Sequence, residues 1–450
     1  MQYSKHSKNI LLLVTILLSL ITYYFMGYSL ERSAFSFILL SYLILFICSY
    51  MLIHFNKHNY ILLASLAVLF RLILLVAIPE LSQDFYRFIW DGRLLLKGFN
   101  VYISTPNSFI TSGQIPIAQA QLLIDGMGAL SAGNHTNYPP LNQLCFMLAG
   151  MGAGNSILGS VMIMRILIIL ADIGTLYIGT KLLIKFHLPV HRIFFYMLNP
   201  LIIIELTGNL HFESLMVFFL VLSIYFLRID RWKLSAFVFS LAISVKLIPL
   251  LFIPLLYKKL GAQKWVMYSS IVALVTTLSF MPFLSIDFLQ HYTQTVGLWF
   301  QKFEFNASVY YLIRELSYCF RGYNEIALIG PALAIVVLVF TLTAGILNGN
   351  KHFLGLLGNM IMVLSVYFLC ATTVHPWYIA TPLFLSIFLS YRFIAVWSFA
   401  VVLSYSAYTS TGFYENGWFI ALEYLLVYGT LFYEIYHKKK SYFSLVHRVK

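Results

Sequence analysis

Charge is what this sequence has least of. Only 10% of its 450 residues are Asp, Glu, Lys or Arg, against about 25% in a typical soluble domain. Cysteine is scarce as well, and four cysteines cannot build a disulfide framework. No internal repeat and no low-complexity tract stands out. These shortages exclude a soluble globular enzyme, a disordered chain and a disulfide scaffold. What the chain has in excess is apolar surface: 60% of residues are hydrophobic and the mean hydropathy is +0.84. Runs of about 20 apolar residues, enough to cross a bilayer as a helix, recur from end to end. The expected fold is an all-α polytopic membrane protein, with residues 1–450 forming a single integral membrane domain.

The runs predict spans at 10–28, 34–53, 60–78, 160–183, 190–206, 213–227, 265–283, 326–347, 353–371, 377–390, 393–408 and 416–436. The first follows Lys5 and Lys8 without a small-residue cleavage site and reads as an uncleaved anchor. Residues 234–257 are apolar but interrupted by Lys246 and Pro249. Placing both termini in the cytoplasm puts nineteen of the 29 lysines and arginines on that side, as the positive-inside rule requires. The condition is that 234–257 enters and leaves on one side, as two half-helices meeting at Ser244–Pro249. Irregular backbone at membrane depth is tolerated only inside protein or beside a cavity, so Lys246 is expected to face a cavity. The net charge of +13 is therefore an orientation signal, and no nucleic-acid partner is expected.

The same map leaves two outer loops, at 79–159 and 284–325. In the first, Ser82 is a candidate N-cap for a helix running to Lys97, with Gly98 as its stop. Asp84, Arg87 and Asp91 share one face of it, which predicts an interfacial helix lying on the membrane. A carboxylate in the first turn of a helix is held anionic by the helix dipole, and one at the wet surface suits a general base. An Asp84–Arg87 surface ion pair, worth at most about 1 kcal/mol, is the plain alternative. The loop ends in Asn134-His135 and Tyr138-Pro139-Pro140, the prolines opening a short helix to about Leu148. In the second loop Trp299, Phe300, Phe303 and Phe305 suggest a membrane-hugging segment. Cys145 and Cys319 both map outside, where a disulfide could form.

These residues carry a resemblance. The string SQDFYRFIWDGRLLLKGFNVY at 82–102 resembles the first-loop signature of GT-C glycosyltransferases that use polyprenyl-phosphate sugars. It is most similar to the polyprenyl-phosphate-mannose-dependent α-mannosyltransferases, whose pattern is Ser-Asp-Asp-x-Tyr-Arg-Tyr-x-Trp-Asp-Gly-Arg before Gly-x-Asn-Pro-Tyr. Matches follow in family order: Asn134-His135, Tyr138-Pro139-Pro140, Gln143, Ala171-Asp172, Asn199-Pro200, Gly208-Asn209-x-His211-x-Glu213, Lys246-x-x-Pro249 and His375-Pro376-Trp377-Tyr378. Two departures stand out. The usual acidic pair is Gln83-Asp84, which disfavours a divalent cation because such ions take several oxygen ligands. The Asn-Pro-Tyr is Asn100-Val101-Tyr102.

The resemblance implies a bundle of about 12–14 transmembrane helices with outer-surface loop helices, Asp84 as catalytic base, and inversion at the anomeric carbon. It implies a polyprenyl-phosphate sugar donor, most plausibly mannosyl, and a glycolipid, glycan or protein acceptor, in contact with membrane lipids. Cations should surround the departing phosphate; Arg71, Arg87, Lys246 and His375 are the candidates. Tyr86, Trp90, His135, Tyr138, His211, Glu213, Trp377 and Tyr378 are candidate sugar or acceptor contacts, although interfacial aromatics are common without a ligand. Glu205, His211 and Glu213 flank the turn Thr207-Gly208-Asn209 and would either bind sugar hydroxyls or stitch helix ends. Asp91 and Arg93 are expected to fix the loop helix, and no metal or firm cofactor is expected. A bacterial inner membrane, with the active site periplasmic, is the expected location. Two rivals share the broken helix and intramembrane charges: a lipid-linked glycan flippase, and an oligosaccharide polymerase or ligase using Arg314 and Arg321.

Overall fold

The computed structural model describes residues 5–389 and 391–448, and almost all of it is helix. Helices α1 (Lys5–Tyr28), α2 (Phe35–Asn56) and α3 (Tyr60–Ile73) come first. The stretch 79–159 then folds as four helices: α4 (Asp84–Leu96), α5 (Pro106–Thr111), α6 (Ala120–Gly133) and α7 (Pro140–Ala153). The 29-residue α8 (Ile157–Lys185) is about 43 Å long at the usual rise. The chain continues through α9 (Phe194–Met197), a π-helical turn at Ile202–Gly208, α10 (Glu213–Arg228), α11 (Trp232–Val245), α12 (Tyr257–Leu260) and α13 (Ala262–Phe280). Helices α14 (Ile286–Gln301) and α15 (Val309–Arg321) fill the second long loop. The last five are α16 (Ile326–Gly345), α17 (Phe353–Cys370), α18 (Ala380–Ser386), α19 (Phe393–Ala400) and α20 (Gly417–Arg448). The strands among the described residues are a short hairpin pairing Tyr408 with Phe413, and a single bridge between Phe305 and Thr373.

Polar side chains start several helices where the apolar runs begin. Asn59 accepts from Leu62 N–H at 3.1 Å, Ser156 from Gly159 at 2.9 Å, and Ser285 from Phe288 at 3.0 Å. Pro140 occupies the first turn of α7, where its missing N–H costs nothing.

Seven described helices are long and apolar enough to cross a membrane, or eight if the pair Val190–Met197 and Ile202–Gly208, bent by 59°, is one span. Three more, Tyr60–Ile73, Trp232–Val245 and Phe393–Ala407, are apolar but short. Continuous spans are therefore fewer than the 12–14 expected, because several expected spans are realised as broken helices. That is feasible where neighbouring helices satisfy the freed backbone groups.

The break expected near Lys246 is one of these. Helix α11 ends at Val245, Lys246 is extended (φ −148°, ψ 142°), and the chain resumes in 3₁₀ turns from Ile248. Asn142 of α7 donates to the freed carbonyl of Val245 at 2.9 Å. The segment then returns to the end it left. Lys259 lines a cleft of about 420 Å³ together with Arg228, Asp230, Phe186, Lys351 and Phe353. Three of the expected cytoplasmic cations, Arg228, Lys259 and Lys351, thus gather in one cleft, and Lys246 is not among its lining.

The motif helix α4 departs from expectation. It is not an amphipathic helix resting on a surface, since Phe85 and every residue from Arg87 to Leu94 are buried. It is wedged between α6 and α7. A Cβ at Gly92 would overlap the Phe146 carbonyl of α7, so only glycine permits this crossing. Phe88 stacks on Phe146 at 4.5 Å and locks the pair. The second loop is also folded onto protein. Phe305 is 1% exposed, and its backbone bonds Thr372 O and Val374 N–H at 3.0 and 2.8 Å. The side chains of Trp299 and Phe300 lie outside the described residues. Cys145 is buried, Cys319 is exposed and both are free, so the disulfide considered between them is not formed.

Candidate active site

Asp84 begins α4, and its backbone N–H is received by Ser82 Oγ at 3.3 Å. Its carboxylate faces Tyr138, whose hydroxyl donates to Asp84 Oδ2 at 3.5 Å. Tyr138 is held in turn by Tyr102, which donates to the Tyr138 carbonyl at 2.7 Å, and by an edge contact with Phe88 at 5.0 Å. Burial raises the Asp84 pKa above the ordinary carboxylate value, against the opposing pull of Arg32, Lys246 and the Tyr138 bond. Burial, not the helix terminus, thus sets its proton affinity, in the direction that suits a general base.

The broken helix brings Lys246 to the same place. Its ammonium pairs with Glu213, the first residue of α10, and lies 5.0 Å from the Tyr378 ring centroid. Glu213 Oε2 is buried without a partner. The charges of Asp84, Lys246 and Glu213 act on one another, and those of Asp84 and Glu213 act on the Tyr138 and Tyr378 hydroxyls. Beside them runs an aromatic stack: His211 on Trp377 at 3.6 Å, Trp377 on His375 at 4.4 Å, and His375 against Phe305 at 5.0 Å. His211 follows Leu210, which adopts a left-handed φ of 62°, so the turn before α10 aims the ring inward.

His375 is not the cation expected of it. Burial, with the nearby charges of Lys246 and Arg32, pushes its pKa down to about 3. His211 is held well below its usual value by burial and the same cations, with His375 adding to them. Both imidazoles are neutral at neutral pH and offer hydrogen-bonding and stacking groups only.

The structure brings together Asp84, Tyr138, Lys246, Glu213, His211, His375, Trp377 and Tyr378. It leaves out several expected members. Arg71 is fully buried and donates to Asp172 Oδ2 at 2.7 Å, Ala67 O at 2.8 Å and Met197 O at 2.7 Å. It clamps α3 to α8 and α9, with only Nη2 left unpartnered in the bundle. Arg87 donates to Asp91 at 2.8 Å and to the Ser131 and Asn134 carbonyls at 2.6 and 2.9 Å, which ties α4 to the end of α6. Asp91 also accepts from Gln143 at 3.0 Å, and Arg93 donates to Ala118 O and Gln119 Oε1. Asp91 and Arg93 therefore fix the loop helices. Trp90 is 1% exposed and packs on Phe109, so it is core. Tyr86 packs on Phe85 and over Gly126. His135 stacks on His291 at 3.9 Å, and burial with His291 and Arg87 lowers its pKa to about 4. Glu205 accepts from Tyr42, Tyr405 and Asn209, so it stitches helix ends rather than presenting itself to a ligand.

Two contributors escaped the sequence reading. Arg32, in the turn between α1 and α2, lies with its guanidinium carbon 3.3 Å from the Tyr408 ring centroid. Its one sequence signal was membership of the minority of cations that fall outside the cytoplasmic set. Tyr408, on the hairpin before α20, carried no signal. Among the described residues, no group of three or more His, Cys, Asp or Glu side chains is placed to hold a metal ion.

Comparison with known proteins bears on this site. A family model described as "Alpha-(1->6)-mannopyranosyltransferase, N-terminal domain" matches residues 12–260, more than half of the chain. That range includes Arg32, Asp84, Tyr138, His211, Glu213 and Lys246. A model described as "ALG3 protein" matches residues 206–352. Alpha-(1->6)-mannopyranosyltransferase A of Mycobacterium tuberculosis (strain ATCC 25618 / H37Rv) is 27% identical over 176 residues, covering 38% of this chain and 32% of that protein. The match thus spans about a third of the length of that relative. The extent of the first match, with the Asp84 string inside it, places this chain in the alpha-(1->6)-mannopyranosyltransferase family.

Proposed function

We propose that this protein transfers a mannosyl group from a polyprenyl-phosphate donor to an acceptor hydroxyl, with inversion, at the outer face of a bacterial inner membrane. The observation that carries the reading is Asp84: a half-buried carboxylate of raised pKa, hydrogen-bonded by Tyr138 and set beside Lys246 and the His211–Trp377–His375 stack. Asp84 takes the proton of the acceptor hydroxyl as that oxygen bonds to the anomeric carbon. The bond from that carbon to the phosphate oxygen breaks, and lipid phosphate leaves with the electron pair. Trp377 and Tyr378 offer ring faces to the sugar, while neutral His211 and His375 offer hydrogen bonds to its hydroxyls. The family and the relative named for mannosyl transfer support mannose. The outer-face placement rests on the positive-inside reading of the loops and on the gathering of Arg228, Lys259 and Lys351 in a cleft that Asp84 and Lys246 do not line.

The test is transfer from polyprenyl-phosphate-[¹⁴C]mannose to membrane glycolipid acceptors by purified protein in nanodiscs. Asp84→Asn should lower the rate by about 10²–10⁴-fold, the usual contribution of a general base, without loss of folded protein. Undiminished transfer by Asp84→Asn would exclude this mechanism. Wild-type protein that moves a lipid-linked glycan across the bilayer, and transfers no sugar, would favour a flippase.

A further inference from the structure

One cation near Asp84 has no anion. Arg32 makes no hydrogen bond, and no carboxylate lies within ion-pair distance of it among the described residues. Its Nε is shielded from solvent and unpartnered, while the guanidinium rests on the face of Tyr408. The buried arginines differ. Arg71 and Arg87 each donate three hydrogen bonds to protein acceptors, and Arg165 donates four, to the carbonyls of Leu75, Ala77, Thr207 and Gly208. A nitrogen removed from water without an acceptor is costly unless something else supplies one, and the terminal nitrogens of this half-buried side chain stay open to an incoming group.

Its position says what that acceptor is. Tyr408 packs on Phe305 at 6.0 Å, and Phe305 packs on His375, so the guanidinium and the aromatic stack belong to one wall. The charge of Arg32 reaches Asp84, Glu205, His211 and His375. Of these, Glu205 already has three donors. Lys246, the other cation here, is neutralised by Glu213. The histidines are uncharged. Arg32 is therefore the cation at this site whose charge no carboxylate has taken up. A guanidinium lying over an aromatic ring keeps its N–H groups free to act as a fork on a phosphate. We infer that Arg32 binds the phosphate of the lipid-phosphate donor and holds it as it leaves. The leaving-group role rests on the transferase reading above; the phosphate-binding role does not.

The experiment separates the two. Wild type, Arg32→Lys and Arg32→Gln are prepared in nanodiscs, and binding of polyprenyl phosphate without sugar is compared with that of the unphosphorylated polyprenol. Arg32→Gln should bind polyprenyl phosphate about 10–100-fold more weakly, the range of a lost charge-assisted bond, and bind polyprenol unchanged. Arg32→Lys should fall between, because it keeps the charge and loses the fork. In transfer assays the Arg32→Gln defect should appear in kcat/KM for the lipid-phosphate donor. A second measurement uses wild type alone, in case Arg32→Gln fails to fold. Phenylglyoxal modification of Arg32, mapped by mass spectrometry, should be blocked by polyprenyl phosphate, and not by polyprenol or by inorganic phosphate at the same concentration. Equal binding of polyprenyl phosphate by folded Arg32→Gln, or modification unaffected by that lipid, overturns the inference. Protection by inorganic phosphate alone would reduce it to a non-specific anion contact and overturns the donor assignment. Arg32-dependent lipid-phosphate binding by a protein that transfers no mannose would sustain it while removing the transferase reading.

Discussion

Arg71 and Asp172 lie within the helix bundle, both at 0% exposure, with Arg71 also bonded to two backbone carbonyls. Arg32, Asp84 and Lys246 lie toward one end, and their charges are met differently. Asp84 has one long hydrogen bond, Lys246 shares a carboxylate whose second oxygen is bare, and Arg32 has no acceptor. The first group is closed by short contacts to protein acceptors, with Arg71 Nη2 and Asp172 Oδ1 left over. The second is held more loosely, and on the function proposed above an anionic, hydroxyl-bearing ligand would complete it. Scarcity of charge marks Arg71, Asp84 and Lys246 alike in the sequence, and only the partners tell a clamp from a site.

The sharpest way to break the comparison is to truncate a clamp. Arg71→Ala strands Asp172 as a buried unpaired carboxylate, a loss of about 3–5 kcal/mol. Detergent-solubilised protein should lose its monodisperse peak in size-exclusion chromatography, or unfold well below wild type. Asp84→Asn should unfold like wild type. A stable Arg71→Ala whose only defect is in donor binding would move Arg71 back to the site.

A second test uses protons. His375 has an ordinary pKa of 6.5 when unfolded and about 3 when folded. The folded protein thus binds fewer protons between those values. The contribution is fully present above pH 6.5 and is lost progressively as pH falls toward 3, at up to about 1.4 kcal/mol per unit. His135, held down to about 4, acts in the same sense. Wild-type unfolding temperature should drop from pH 7 to pH 4.5, and His375→Gln should flatten that slope. An unchanged slope would mean that the fold does not depress the His375 pKa, and would reopen it as a phosphate-binding cation below about pH 6.5.

How far the sequence revealed this arrangement follows the range of the interactions. The break at Lys246, the proline start of α7 and the glycine stop of α4 are local, and their signals lie within a few residues. The Asp84 string also marked its own helix. The burial of that helix was not legible, because Trp90, Arg87 and Gly92 read equally well as an interfacial face. What decides is α7 arriving from beyond the loop, with Phe146 against Phe88. Arg32 and Tyr408 were the hardest to see. One belongs to the turn after α1 and the other to the hairpin before α20, and no periodicity links them. The choice among Arg71, Arg87 and Arg32 as phosphate ligand was likewise open, because a lone arginine reads alike whether its partner is a carbonyl or a substrate.

The finest test concerns the single hydrogen bond to Asp84. The Tyr138 hydroxyl donates to the carboxylate, which favours the ionised form and opposes the upward push of burial. Tyr138→Phe removes that donor and leaves the ring packed on Phe88 and Phe146. The Asp84 pKa should then rise further, so the acid limb of kcat/KM against pH should move to higher pH. At a pH above both limbs the rate should fall only about 3–10-fold, as expected for one long hydrogen bond of about 1 kcal/mol. In Asp84→Asn the acid limb should vanish altogether. A limb that persists in Asp84→Asn belongs to another group, and Glu213, with its unpartnered oxygen beside Lys246, would then be the base to examine.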